Sequence, residues 1–140
     1  MIYIEPQVID AVAKAVQDEY PKAVVENRFT FKPASFPYVS VYETGNTQPS
    51  RYIDNTGEEL FNEVTYEAQI FTCDRFKVAT ANHLAEIVDN EMRSLGFLRT
   101  FKNAIPNVDT TIHRIVLRYT AVVQIPNGGS TIDKTLVYHR

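Results

Sequence analysis

One cysteine in 140 residues removes whole classes of chemistry at the outset. Cys73 alone cannot form an intrachain disulfide or a thiolate zinc site, and so sparse a use of cysteine suits a reducing compartment. Positive charge is short as well. Fourteen Lys and Arg stand against seventeen Asp and Glu, a formal charge of −3, so a sequence-independent grip on phosphate backbones lacks bulk support. The opening Met1-Ile2-Tyr3-Ile4-Glu5-Pro6 has neither the basic start nor the apolar run of a signal peptide, and no stretch approaches the length of a membrane span. Synthesis and folding in the cytoplasm is the expectation.

What is present is a core-forming composition. Hydrophobic residues make up 44% of the chain, and eight Tyr and eight Phe argue against disorder. A chain of this length buries roughly two-thirds of the surface it would expose unfolded, enough for one core. The expected organisation is a single α+β domain over residues 1–125, followed by a C-terminal hairpin or arm over 126–140.

Pro6 suits a first helical turn, and Ile9, Val12, Val16 and Tyr20 then recur at helical spacing until Pro21. The period next changes to two. Ala23, Val25, Phe29 and Phe31 alternate with Glu26, Arg28, Thr30 and Lys32, which predicts a half-buried strand. Pro33 and Pro37 bracket a turn before Tyr38-Val39-Ser40-Val41-Tyr42, a strand apolar on both faces and therefore covered on both, by a helix or by a partner. From Leu60 to Thr72, Val64, Tyr66, Ala68 and Ile70 oppose Glu63, Thr65, Glu67 and Gln69.

Asp74 can cap a second helix, with Val78, Ala81, Leu84, Ala85, Val88, Met92 and Leu95 as its stripe and Gly96 as its left-handed stop. Phe97 to Phe101 is a candidate strand. Thr111 to Ile125 alternates again, with Ile115, Leu117, Tyr119, Ala121, Val123 and Ile125 inward and Arg114, Arg118, Thr120 and Gln124 outward. Thr135 to Tyr138 either returns as a short edge strand or runs on as an arm.

The order α-β-β-β-α-β-β predicts an antiparallel sheet of about five strands with both helices packed on one face. The other face, bearing Glu26, Arg28, Glu63, Glu67, Arg114 and Arg118, is then solvated through cross-strand charge pairs or given to a partner.

A search for chemistry finds no constellation. His83, His113 and His139 lie on separate elements, and His83 has no second ligand at zinc-site spacing. No serine sits in a nucleophile elbow. Cys73 precedes a helix start, where a thiol can be activated, but reads better as a small half-buried junction residue. Glu63 and Glu67 on one strand face would stand about 13 Å apart, too far for a coupled acid/base pair. Gly128-Gly129 precedes no helix and so makes no phosphate cradle. No cofactor and no metal are implied.

Thr44 to Glu58 is a long connection where a hairpin needs only a few residues, and such loops are usually functional or disordered. Within it, Arg51, Tyr52, Ile53 and Asp54 group interface-type side chains, which either fold back on the sheet or reach another chain. With Glu63, Glu67, Arg114 and Arg118 they form the candidate interface set.

The order and texture of these pieces resemble the tail terminator, or tail-completion, proteins of long-tailed bacteriophages. The resemblance runs through the N-terminal helix, Phe36-Pro37-Tyr38-Val39-Ser40-Val41-Tyr42, the long loop and the strand Glu63 to Phe71. It continues through Met92-Arg93-Ser94-Leu95-Gly96-Phe97, Ile105-Pro106-Asn107, Ile112-His113-Arg114 and Leu117-Arg118-Tyr119. It implies a virion protein assembled in the host cytoplasm: a hexameric ring of this chain that caps the tail tube, ends its polymerisation and meets the head-side connector. Its partners would be copies of itself, the tube protein and the connector, with DNA only as passing cargo and no membrane. Other phage neck or minor tail proteins share such small domains. A non-phage adaptor gripping one protein through its long loop, and a cofactor-free enzyme with a pocket between sheet and helices, are the rival readings.

Overall fold

The computed structural model describes residues 3–30, 32–47, 61–124 and 136–138. The elements are α1 (Glu5–Glu19), β1 (Val24–Glu26), β2 (Tyr38–Thr47), β3 (Phe61–Thr72), α2 (Lys77–Ser94), β4 (Leu98–Ala104), β5 (His113–Gln124) and β6 (Leu136–Tyr138). The strands make one mixed sheet in the order β1-β2-β3-β5-β4, and β6 pairs with β5. It is the expected α+β architecture. Both helices lie on one face, where Val8, Val12 and Val16 of α1 and Ala81, Leu84, Val88 and Met92 of α2 close over Val64, Tyr66, Ala68, Ile70, Ile115, Leu117 and Tyr119.

Each helix follows from its spacing. The buried stripe of α1 is Val8, Val12 and Val16, with Ile9 half-buried beside it, and Pro6 sits in the first turn, where a missing N–H is not needed. In α2 the stripe begins one turn later than expected, because Val78 is exposed. Asp74 does not cap this helix. Its carboxylate accepts the Phe76 N–H at 2.8 Å and so shapes the turn leading in, while the N-cap position is Phe76. The end of α2 is as the sequence requires. Gly96 has φ 98°, and the Gly96 and Phe97 N–H groups donate to the carbonyls of Arg93 and Met92, a paired closure that needs a left-handed residue. His83 bridges the helices, its Nδ1 2.7 Å from the Tyr20 hydroxyl and its Nε2 3.1 Å from a Glu19 carboxylate oxygen.

Two features depart from an all-hairpin sheet. β1 stops at Glu26 instead of running to Lys32, and it pairs parallel to β2. The chain bends at Asn27 and Arg28 because the Tyr38 hydroxyl donates to the Arg28 carbonyl at 3.0 Å and to Glu26 Oε2 at 3.1 Å, and Arg28 Nε meets the same carboxylate at 3.0 Å. Local satisfaction of these groups overrides the period-two pattern, and the bend lets the chain cross back to start β2 in the same direction. The second departure is that β5 inserts between β3 and β4, so β3-α2-β4 is a crossover with another strand between its arms.

β2 is longer than expected and runs on past Tyr42 to Thr47, taking in Thr44 to Thr47 from the connection read as a loop in the sequence. Gly45 lies at a bulge, where the register with β3 shifts between Glu43 and Gly45. A Cβ there would meet Thr65 Oγ1 at 2.7 Å, a contact Thr65 cannot easily relieve because its hydroxyl accepts from Thr44 Oγ1 at 2.9 Å. Gly45→Ala is therefore expected to destabilise by about 1–3 kcal/mol in urea unfolding. Adding Thr65→Ala should recover part of that loss, and strictly additive costs would contradict the steric account.

Cys73 is exposed, not half-buried, because the chain leaves β3 at Thr72 and turns outward before α2 begins. The expected boundary at residue 125, Ile125 itself, and the segment Arg51, Tyr52, Ile53, Asp54 lie outside the described residues.

Candidate functional site

The helix-free face is built by the alternate residues of four strands. Tyr42, Glu67, Arg118 and Phe101 form one row across β2, β3, β5 and β4, and Ser40, Gln69, Val116 and Asn103 form the next. Beyond these, Tyr38 and Phe71 pack with Ile112, Val24 and Phe36 in a second, smaller apolar cluster. Part of this face is thus roofed by the protein's own connection between β1 and β2, which explains why Tyr38-Val39-Ser40-Val41 is buried on both sides.

Glu67 is the hub of the open part. Its Oε1 accepts from Arg118 Nε at 3.0 Å, and its Oε2 accepts from the Tyr42 hydroxyl and from Gln69 Nε2 at 3.1 Å. Gln69 Nε2 also donates to the Tyr42 oxygen at 3.0 Å, and Gln69 Oε1 accepts from Arg114 Nε at 2.8 Å. Both guanidinium groups lie over rings: Arg118 is 4.7 Å from the Phe101 centroid, and Arg114 is 5.3 Å from that of Phe29 and 5.9 Å from that of Phe71. One carboxylate therefore ties two arginines, directly and through an amide, across the centre of the sheet. Networks of this kind hold their members in one arrangement.

Burial tends to raise the Glu67 carboxyl, but the hydrogen bonds from Tyr42, Arg118 and Gln69 and the charge of Arg118 outweigh it, so its pKa is lowered. Tyr42 is pushed up to about 12, first by burial and then by its bond to Glu67. At neutral pH the carboxylate stays ionised and the phenol stays protonated, so neither suits proton transfer there. What the arrangement offers is recognition: fixed guanidinium donors, with Arg118 half-exposed, on an aromatic-backed surface.

The lowered Glu67 value sets a pH dependence. Its folded pKa lies below the ordinary 4.5, so the stability it contributes is full above about 4.5 and is lost as pH falls through the folded value. Glu67→Gln is expected to flatten that acid-side loss in melting temperatures taken from about pH 2 to 6. An unchanged acid limb would show that other carboxylates carry it.

Of the residues proposed from sequence, Glu67, Arg114 and Arg118 come together in this network. Glu63 lies on the same face, opposite Thr47 and Val122, two rows from the hub. Glu26 and Arg28 pair with each other at the far edge. Tyr42, Gln69, Phe101 and Phe29 were missed as site residues. The alternation in β3 does put Gln69 beside Glu67, but the register that brings Arg114 to it joins strands far apart in the chain.

Among the described residues no group of three or more His, Cys, Asp or Glu could hold a metal ion, and no helix is long and apolar enough to cross a membrane. Two open surface grooves stand out. One, of about 550 Å³, lies between the start of α1 and the end of β1; the other, of about 510 Å³, lies under the connection after β1.

One chain of a gene transfer agent particle has this fold. The solved structure is described as the virion of a native gene transfer agent particle, and the match has a TM-score of 0.57 and 18% sequence identity over 82% of this chain and 92% of that one. At that identity the likeness is one of fold. No protein-family profile and no curated protein sequence matches the chain.

Proposed function

We propose that this chain is a structural protein of a phage-type virion, and within it the tail terminator. In this role copies of the chain form a ring, hexameric in the reading from sequence, that caps the tail tube, ends its growth and offers its other side to the head connector. The observation that carries the reading is the fold shared with a virion chain over most of both chains, in agreement with the order of motifs noted in the sequence. The surface chemistry supports it. The open face carries arginines already matched to a carboxylate and an amide, as suits a protein surface better than a phosphate grip, and the net acidity lets DNA pass without retention.

The test is to mix the purified chain with tail tubes that lack their natural end and to image them by negative stain. One compact density at a single tube end, with further tube growth stopped, is the expected result. Binding to isolated head connectors but not to tubes would move the protein to another tier of the neck. Absence of binding to either would remove the virion reading.

A further inference from the structure

The two sides of the sheet end differently. On one side β4 is the last strand, exposed along most of its length and bulged between Arg99 and Phe101. It carries Arg99 and Lys102 and no acidic residue, and Leu98 at its start is 54% exposed. Arg99 is held by Asp89 on α2, whereas Lys102 has no ion-pair partner among the described residues. A basic, bulged edge resists pairing with its own copy, since like charges would face each other.

On the opposite side, β1 covers only Tyr38 to Ser40 of β2, and the sheet beyond it borders the groove beside the start of α1. This groove has about 550 Å³ of open volume and is lined by Glu5, Asp10 and Glu26 against the single base Arg28, with Tyr3 and Ile9 supplying apolar wall. Tyr3 is 49% exposed, and Asp10 is exposed with no ion-pair partner among the described residues. Glu5 is already committed. Its Oε2 accepts the Glu43 N–H at 2.8 Å, in the place a neighbouring strand's carbonyl would take, so this border is closed to simple strand addition.

We infer that the groove beside the start of α1 receives the β4 edge of a second copy of this chain, with Lys102 facing Asp10 and Leu98 meeting the apolar wall near Tyr3. Charge and apolar character match across the pair, and the two surfaces lie at opposite ends of one sheet. Contact between unlike surfaces at opposite ends is head-to-tail, which builds a ring when the rotation between successive copies closes and a filament when it does not. The inference rests on the self-assembly part of the proposed function and names its interface.

The test uses the full chain with Lys102→Glu, with Asp10→Lys, and with both, each checked for native circular dichroism and followed by analytical ultracentrifugation. Each single reversal sets like charges together at every contact and is expected to weaken self-association about tenfold or more. The double variant, and an equimolar mixture of the two single variants, should recover it, since each restores opposite charges across the contact. Recovery also separates interface repulsion from misfolding. Wild-type behaviour of both single variants, failure of the double variant and the mixture to recover, or a wild-type chain that stays monomeric at its highest soluble concentration would each overturn the inference. The charge-swap pattern without binding to tail tubes would keep this interface and remove the terminator role. Tube capping untouched by either single reversal would keep the role and overturn the interface.

Discussion

Replacing Asp89 with alanine is expected to cost about 2–4 kcal/mol of stability in urea unfolding, one of the largest effects of any single polar substitution in the fold. Asp89 is 8% exposed and lies on the side of α2 that faces the sheet. Its Oδ1 accepts from the Tyr119 hydroxyl at 2.9 Å, and its Oδ2 lies 3.0 Å from Arg99 Nη1 and 3.8 Å from Arg93 Nε. Tyr119 is buried, and its pKa is driven far up, by burial first and then by its bond to Asp89, so its hydroxyl is always a donor. Without Asp89 that donor has no acceptor, a loss of about 1–3 kcal/mol. The arginines are half-exposed and can return to water, so each adds less than about 1 kcal/mol. Asp89→Asn keeps an acceptor and should cost roughly half as much. In the Tyr119→Phe background the alanine substitution should become markedly cheaper, and a full cost there would place the effect elsewhere.

The second large effect is at Tyr66, among the largest fully buried side chains. Its ring meets Phe97 edge-on with centroids 5.2 Å apart, and its hydroxyl donates to Glu43 Oε1 at 3.1 Å. Tyr66→Ala opens a cavity between sheet and helices and is expected to cost about 3–5 kcal/mol. Tyr66→Phe keeps the ring and should cost only about 1–2 kcal/mol. The phenylalanine variant also has a pH signature. Burial raises the Glu43 carboxyl above 4.5, and the Tyr66 bond partly opposes this. A raised folded pKa means that the stability linked to Glu43 is full below about 4.5 and is lost as pH rises through the folded value. Removing the Tyr66 donor lifts that folded value further, so the cost of Tyr66→Phe should grow from acid to neutral pH. A cost that is flat with pH would separate Glu43 from the effect.

The burial of Tyr66 was legible in the sequence, that of Asp89 was not, and the partners of neither were. The alternation through Val64, Tyr66, Ala68 and Ile70, and through Ile115, Leu117 and Tyr119, names the inner face of the sheet because side-chain direction has a period of two. The α2 stripe and its Gly96 stop were readable for the same kind of reason. Register has no such local signature. That Glu67 faces Arg118, or that Asp89 receives Tyr119, depends on how strands separated by a helix are set against each other. The errors were also local competitions: Tyr38, Glu26 and Arg28 satisfy one another and end β1 early, and Gly45 extends β2 through a bulge that reads as loop. At the candidate site the charged residues were found from their side of the strand. The aromatic and amide members were not, because only the assembled face gives Phe101, Phe29 and Gln69 a role.

The insertion of β5 between β3 and β4 also bears on how the protein comes into being. The central β3–β5 ladder joins residues such as Glu67 and Arg118, 51 positions apart, so loop-closure entropy must be met before that ladder rewards it. The β2–β3 and β4–β5 pairs and α2 are local and can form early, whereas the β3–β5 ladder that joins the two halves of the sheet waits for its distant partner. Topologies with this much long-range pairing fold in roughly milliseconds to seconds, not microseconds. A new subunit therefore spends that interval with half a sheet exposed, and slower synthesis at reduced temperature should raise its soluble yield.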